Sequence, residues 1–426
     1  MTVALALAGL LGLTGCGQQV APPGDEALPA GTLPVSEQDR RAVSIQDAEA
    51  TQDLVAAANA MGLEMINLEP GVTTVTSPAS LQVALSMAAE GAQGQTLSEL
   101  EALIGATGTE RSDAMNALTT ALEDLDGDPA VVQDDELPET PMVHRADRLV
   151  LDDALEVRQD FVDALTLHYG ATSQTTDLGS EAGKVVLDSW VNEHTGGLIP
   201  RSAIEPDPRL LMVLQDAIVL AARWQDPFYA TLTAPEPFTL PTGEVVDLEM
   251  MNTGRERDMT YAEVQGWQAV RLPYTGGRLH ADVILPPPGI APTQVSSDLF
   301  DQLQTGLDAD QARLVIFRMP VVDAESTLDL IPFLSEHAPS ALSGGFGGIA
   351  DENLTIGQAA QQAVLAIDEE GTIAAAVTEI GLADSGSAEP PLRLTIERPY
   401  LVHIADSTTG WPLFLAHIAD PRSPDN

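Results

Sequence analysis

The chain has 426 residues, of which 44% are hydrophobic, so it is long enough to bury a large core. Its 64 acidic residues against 19 lysines and arginines give a formal net charge of -45 at pH 7. Such a charge repels nucleic acid and anionic lipid or polysaccharide. We therefore exclude these partners and interpret most of the charge as a solvated acidic surface.

The N-terminus predicts secretion. Residues 3–13 are apolar, and Leu13-Thr14-Gly15-Cys16 is similar to the lipobox of bacterial lipoproteins, whose cysteine is lipidated. The usual positive n-region is missing, and a buried N-terminal helix is the alternative. Cys16 is the only cysteine, so an intramolecular disulfide or a cysteine-ligated metal site cannot form. We expect residues 1–15 to be a signal peptide. The protein would be secreted across the inner membrane and lipid-anchored through Cys16 at the cell envelope, or be extracellular.

A flexible tether is expected over residues 16–44, which are rich in proline, glycine, glutamine and acid. After it, residues 47–61 have the spacing of a helix, and residues 71–76 read as a short strand. Farther on, residues 124–141 form an acidic run that contains prolines. That run predicts a disordered or surface insertion.

Two further helices and a buried strand are predicted along the chain. Residues 77–80 can begin a helix, because serine and proline suit the first turn. Residues 186–200 read as a helix that ends at Gly196. Residues 214–220 are nearly continuously apolar, which is typical of a strand buried on both faces. This strand leads to Trp224.

Residues 363–382 consist of two runs of strand-forming residues separated by Glu369, Glu370 and Gly371. If Thr372 faces one side, a period of two gives an uncharged face. Its members are Thr372, Ala374, Ala376, Thr378, Ile380 and Leu382. A slip of one residue would bury Glu379, so only one register suits insertion between other strands. Composition alone favours the alternative of an alanine-rich helix or a loop.

The second run carries a resemblance to a known family. The residues Glu369-Glu370-Gly371-Thr372, followed by Ala374-Ala375-Ala376-Val377-Thr378, resemble the reactive-loop hinge of serpins, a large family of serine-protease inhibitors. Residues 77–80, 91–96 and 186–200 are similar to other serpin blocks. The similarity covers roughly residues 45–422 in order.

The resemblance implies an α+β fold with three β-sheets and about eight or nine helices. A single domain would span residues 45–426, with the acidic insertion inside it. An exposed C-terminal reactive loop would be able to insert into the main sheet, which is a known form of strand addition. We expect a monomer without cofactor or metal. Its membrane contact would be through the lipid anchor only.

The implied function is that of a suicide substrate. A serine protease would attack the loop and be trapped as a covalent acyl-enzyme when the cut loop inserts, so catalysis belongs to the attacker. No Gly-x-Ser-x-Gly or His-Glu-x-x-His motif occurs, and we expect no enzymatic activity. The alternative is a non-inhibitory binding or structural lipoprotein on the serpin fold. The small residues of the hinge favour inhibition.

The reactive bond is expected between Ser385 and Gly386, which lie fourteen and fifteen residues after the hinge glycine. Counting back from the C-terminal strands points instead to Ala388. Cleavage after Ser385 or Ala388 suits an elastase-like or subtilisin-like protease. Cleavage after Leu382 suits a chymotrypsin-like one. No arginine or lysine stands at these positions, which argues against a trypsin-like target.

The resemblance also implies a cluster where the main sheet opens. Its members would be Ser77, Ser80, Asp216, Trp224 and Gln361. Asp216 and Gln361 replace the asparagine and histidine that serpins usually have there. We expect these two replacements to pair with each other as acceptor and donor.

Overall fold

The computed structural model describes residues 36, 38–134, 136–309, 311–372 and 391–422. Within them lie eight α-helices: α1 (Thr51–Met65), α2 (Pro78–Gly91), α3 (Gly94–Ile104), α4 (Gly108–Thr120), α5 (Gln159–Tyr169), α6 (Glu181–His194), α7 (Ser297–Asp308) and α8 (Ile331–His337). Of the helices in these ranges, none is both long and apolar enough to cross a membrane.

Sixteen strands occupy the same described ranges: β1 (Thr74–Thr76), β2 (Met142–Asp152), β3 (Thr172–Thr176), β4 (Met212–Arg223), β5 (Ala234–Thr239), β6 (Val245–Asn252), β7 (Arg257–Val264), β8 (Trp267–Pro273), β9 (Leu279–Leu285), β10 (Ala312–Pro320), β11 (Val322–Asp329), β12 (Ala360–Ile367), β13 (Gly371–Thr372), β14 (Leu392–Thr395), β15 (Tyr400–Asp406) and β16 (Pro412–Ile418). They form one six-stranded and one ten-stranded hydrogen-bonded sheet.

The ten-stranded sheet changes direction at β7. The first half of β7 pairs with β10 and its second half pairs with β8. Strands β1, β16, β15, β9 and β8 lie on one side of β7, and β10, β6, β5 and β14 lie on the other. With the six-stranded sheet, these two parts give the three-sheet α+β fold that the resemblance predicts.

Burial is complete in three seven-residue strands of the ten-stranded sheet. Every residue of β9, β15 and β16 is buried. Most of their side chains are apolar, because helices or other strands cover both faces of these strands. These three strands therefore form most of the completely buried part of the ten-stranded sheet.

The six-stranded sheet has the order β11, β12, β13, β4, β2, β3. The two-residue strand β13 runs antiparallel to both neighbours, so β12 and β4 are parallel to each other. Helix α2 packs against one face of β4. Helix α6 covers the other face, where Leu187 packs with Val213. This sheet positions the candidate site.

The predicted insertion is ordered over its described residues. Short helical turns occupy Glu123–Leu125 and Pro129–Gln133. Val132 and Leu137 are buried, and they pack with Met142 and with the end of β4. The expectation of a disordered segment is therefore wrong for these residues, because apolar side chains within the acidic run reach the core.

The tether is shorter than predicted. The side chain of Val43 is buried, and its backbone N–H donates to Asn116 Oδ1 at 2.8 Å. The backbone N–H of Arg41 donates to Leu167 O at 3.0 Å. Residues 40–43 therefore contact α4 and α5 and belong to the folded domain, since Val43 has apolar surface to bury.

Candidate functional site

The chain reverses direction immediately after β12. The Asp368 carboxylate accepts hydrogen bonds from the backbone N–H groups of Glu370, at 2.9 Å, and Gly371, at 3.1 Å. Burial raises the pKa of Asp368 to about 6, although these two hydrogen bonds oppose the rise. The turn brings the chain back between β12 and β4.

Thr372 is already a sheet residue. It lies opposite Ile367 of β12 and Ala222 of β4, and only 2% of its surface is exposed. Its hydroxyl is 2.5 Å from the hydroxyl of Tyr274. The register thus turns the Thr372 side chain inward, which is the face that the period of two predicts for insertion.

Trp224 and Tyr274 hold this turn. Their rings are stacked with centroids 4.5 Å apart. The Trp224 indole N–H donates to Asp368 O at 3.0 Å, and its backbone N–H donates to Glu370 O at 2.7 Å. Sequence reasoning singled out Trp224 but gave Tyr274 no role. For Tyr274, the only signal in the sequence was its position directly after the residues of β8.

Gly371 is required by close contact. A Cβ atom at this position would lie 2.0 Å from Ala222 O and 2.7 Å from Leu137 Cδ1. Leu137 O also accepts a hydrogen bond of 2.7 Å from Arg223 Nε. We call the end of the gap between β4 and β12 where β13 lies its upper end. The insertion therefore covers this upper end, directly over the first loop residues. Leu137 was missed because it stands alone in an acidic sequence.

Below β13, the strands β4 and β12 are separated by a cavity of about 200 Å³. It runs along β4 from Met212 to Leu220 and along β12 from Ala360 to Leu365. Thr372 lies at one end of the cavity, and Ser77 and Ser80 of the α2 start line its floor. A strand that continues from Thr372 would enter this space.

Ser77 and Gln361 connect α2 to β12. The Gln361 amide is 2.9 Å from the Ser77 N–H, which donates to it, and 2.8 Å from the Ser77 carbonyl, which accepts from it. The Ser77 hydroxyl caps α2 by accepting from the Ser80 N–H at 3.2 Å. The structure therefore does not show the expected pair of Gln361 and Asp216, since the Ser77 backbone uses both ends of the amide.

Asp216 has a different partner. It lies opposite Asp147 across the β2–β4 ladder, and Arg145 Nη2 binds Asp147 at 2.8 Å and Asp216 at 3.4 Å. Burial and the adjacent Asp147 charge raise the pKa of Asp216 well above its ordinary value. Sequence reasoning gave Arg145 and Asp147 no role in the site, because one segment of sequence does not show which residues of another strand lie opposite it.

Several residues that the sequence analysis singled out lie outside the described residues. They are the lipidation candidate Cys16, the hinge residues Ala374, Ala375, Ala376 and Thr378, and the reactive-bond candidates Leu382, Ser385, Gly386 and Ala388. Of the hinge, Glu369, Glu370, Gly371 and Thr372 are described and lie together at the upper end of the gap.

These contacts define a protein whose six-stranded sheet is parted between two parallel strands and holds the start of a loop in the gap. The family model described as "Serpin (serine protease inhibitor)" matches residues 57–421. The chain belongs to the serpin family. Members of this family are generally inhibitors of proteases rather than enzymes.

Known relatives are similar over most of their length. The chain is 27% identical to putative serpin-Z12 of Oryza sativa subsp. japonica, over 82% of this chain and 86% of that protein. It is 26% identical to an uncharacterized serpin-like protein of Thermococcus kodakarensis, over 81% of this chain and 80% of that protein.

Two solved structures establish the fold. The thermophilic serpin tengpin in its native state gives a TM-score of 0.77 at 21% identity, covering 90% of this chain and 97% of its own. Human thyroxine-binding globulin complexed with thyroxine gives a TM-score of 0.75 at 22% identity, covering 88% of this chain and 100% of its own.

Proposed function

We propose that the protein inhibits a serine endopeptidase as a suicide substrate, by insertion of its cleaved loop between β4 and β12. One observation carries the proposal. Gly371 and Thr372 already occupy the upper end of the gap, and the cavity continues beneath them along both strands. The next loop residue therefore needs no new turn to continue the strand.

The chemistry is that of an interrupted proteolysis. The protease serine attacks the carbonyl carbon of Ser385, the bond to Gly386 breaks, and the new amino group of Gly386 leaves with the C-terminal part. An ester then joins the protease serine to Ser385. Residues 373–385 would enter the sheet while attached to the protease, before water can hydrolyse the ester.

Insertion is favourable because it completes an incomplete sheet. The facing strands β4 and β12 offer backbone groups to a new strand, and each added hydrogen bond contributes about 1 kcal/mol. The residues that would alternate inward with Thr372 are small, so their burial needs little further opening of the gap. The hinge composition and the cavity thus support the same direction of movement.

Covalent capture tests the proposal directly. The full chain would be incubated with elastase-like, subtilisin-like and chymotrypsin-like proteases, and SDS-resistant complexes would be sought by electrophoresis. We expect a complex with at least one of them, and mass spectrometry would identify cleavage after Leu382, Ser385 or Ala388. Because these residues are small or apolar, a trypsin-like protease is the matched negative control.

A hinge variant separates insertion from simple binding. In Ala374→Arg, the next residue on the inward face would carry a charge into the gap, so insertion should stall and the protease should cleave the loop and escape. Ala374→Ser keeps a small side chain and should retain complex formation. Equal amounts of complex from both variants would contradict the mechanism.

The alternative is a non-inhibitory binding or structural lipoprotein whose loop is only a substrate. The fold alone does not distinguish an inhibitor from a binding protein, because human thyroxine-binding globulin, which has a similar fold, carries the small ligand thyroxine. The alternative predicts cleavage without any covalent complex across the whole protease panel.

We also propose that the mature protein is a monomer anchored through a lipid on Cys16 at the cell envelope. Metabolic labelling with a radioactive fatty acid should mark the wild-type protein. The label should be absent from Cys16→Ser. Equal labelling of both proteins would refute the anchor.

A further inference from the structure

A second cluster lies far from the gap, between the ten-stranded sheet and α7. His280 and Asp282 belong to β9, and His403 belongs to the neighbouring strand β15, directly opposite Asp282. All three side chains are buried, with 5%, 0% and 2% of their surfaces exposed. Their possible ligand atoms all lie within 4.8 Å of one another. The inhibitory mechanism proposed above uses none of them.

His403 makes this cluster unusual. Among the described residues, neither of its ring nitrogens has a hydrogen-bond partner. Leaving a polar group buried and unpaired costs about 1–3 kcal/mol, so native structures rarely do so without a bound water or ion. The His403 ring is fixed by an edge-to-face contact with Phe300 of α7, with centroids 5.2 Å apart.

The separations suit coordination of an ion. His280 Nε2 lies 3.5 Å from Asp282 Oδ2, and His403 Nδ1 lies 3.7 Å from the same oxygen. These distances are too long for hydrogen bonds. Around a tetrahedral zinc ion with bonds of about 2.0–2.1 Å, ligand atoms are about 3.3 Å apart. Small side-chain movements would therefore bring all three atoms onto one ion.

The outer contacts also have the form of a metal site. His280 Nδ1 is 2.9 Å from Ser407 Oγ, which leaves Nε2 free to face Asp282. Metal-binding histidines commonly use their second nitrogen in this way. Arg271 holds the Asp282 carboxylate through Nε, at 2.7 Å to Oδ1, and Nη2, at 2.9 Å to Oδ2. A carboxylate offers about four acceptor sites, so Oδ2 can still bind an ion.

The geometry points to a divalent transition-metal site, best suited to zinc, formed by His280, Asp282 and His403. Two imidazoles and one carboxylate are typical zinc ligands, whereas magnesium and calcium prefer oxygen alone. A water molecule would complete the coordination. The ion would join β9 to β15 and give His280 Nε2 and His403 Nδ1 a common partner.

Zinc titration of the full chain tests this site. Protein treated with EDTA and desalted would be titrated with zinc chloride by calorimetry, with magnesium and calcium chloride as controls. We expect one zinc ion per chain, a higher melting temperature with zinc, and neither effect with magnesium or calcium. Failure to bind zinc stoichiometrically would overturn the proposal.

Three variants locate the ion. His403→Phe should lose zinc binding, by more than the roughly 10–100-fold that loss of an outer contact costs. Ser407→Ala should weaken binding within that 10–100-fold range. His337→Gln removes a histidine that bonds to Glu64 away from the cluster and should bind as the wild type does. Equal zinc affinity of wild type and His403→Phe would show that the acidic surface alone binds the metal.

Cobalt gives a second readout that needs no variant. Tetrahedral cobalt(II) at this site should produce intense visible absorption in the wild-type protein, and one equivalent of zinc should remove it. Absorption typical of hexahydrated cobalt, without this band, would overturn the site even if His403→Phe failed to fold.

Discussion

The two sheets of this serpin bury their residues in different ways. In the ten-stranded sheet, β9, β15 and β16 have no exposed or half-exposed residue. In the six-stranded sheet, buried residues alternate with half-exposed residues over 362–367 of β12 and 212–219 of β4, and a cavity separates the two strands. One sheet is held by apolar contacts that are costly to break. The other is held near its gap by polar contacts that can be exchanged, such as those between Gln361 and Ser77.

The largest effect is expected from the fixed sheet. Leu413 of β16 is completely buried in the main core. Leu413→Ala should therefore lower the free energy of unfolding by about 2–5 kcal/mol, through lost apolar contact and a cavity. Urea denaturation would measure it, with the exposed Val245→Ala as a control that should change little. Equal effects of both variants would remove the contrast between core and surface.

A smaller effect of opposite sign is expected at Asp216. Its pKa in the folded protein is raised above the unfolded value, so its contribution to stability is present below about pH 4 and is lost as pH rises through the folded pKa. Asp216→Asn should therefore be more stable than the wild type at pH 7–8, by on the order of 1–3 kcal/mol. Thermal unfolding at pH 4 and pH 8 would measure the difference. A variant less stable at pH 8 than at pH 4, relative to wild type, would contradict the assignment.

A smaller loss of stability is expected when the hydrogen bonds between Gln361 and the start of α2 are removed. Gln361→Ala removes two hydrogen bonds to the Ser77 backbone, worth about 1 kcal/mol each. We expect a lower melting temperature and faster loop insertion, measured as faster formation of the covalent complex. Gln302→Ala, at an exposed position on α7, is the control. An unchanged melting temperature and an unchanged rate of complex formation would mean that these two hydrogen bonds do not restrain β12.

The smallest effect concerns the turn before β13. Asp368 has a pKa of about 6, raised mainly by burial, so its stabilising contribution is lost as pH rises from about 4 to about 6. After allowance for solvent screening, Asp368→Asn should gain about 1 kcal/mol over the wild type at pH 7 and nothing at pH 4. Melting curves at the two pH values would show this, and a constant difference would refute the titration.

The sequence predicted the parts of the site that depend on local pattern. The hinge composition predicted where the loop begins, and the uncharged face that contains Thr372 followed from the period of two. The partners of Asp216 and Gln361 could not be predicted, because they depend on which residues of distant strands lie opposite one another. Arg145 reaches Asp216 only through the β2–β4 register.

The same limit applies to the insertion and the histidine cluster. Leu137 covers Gly371, although more than 200 residues separate them along the chain. His280 and His403 meet only because β9 pairs with β15. Composition predicted that the acidic insertion is disordered or lies at the surface. Only the packing of its few apolar residues shows that it closes the upper end of the gap.

The most direct test of the account is to heat the intact protein and the loop-cleaved protein side by side. If the cleaved loop inserts, on the order of ten new backbone hydrogen bonds at about 1 kcal/mol each should form. At about 2 °C per kcal/mol, the melting temperature should rise by about 20 °C. A cleaved protein that melts at or below the temperature of the intact protein would contradict insertion between β4 and β12.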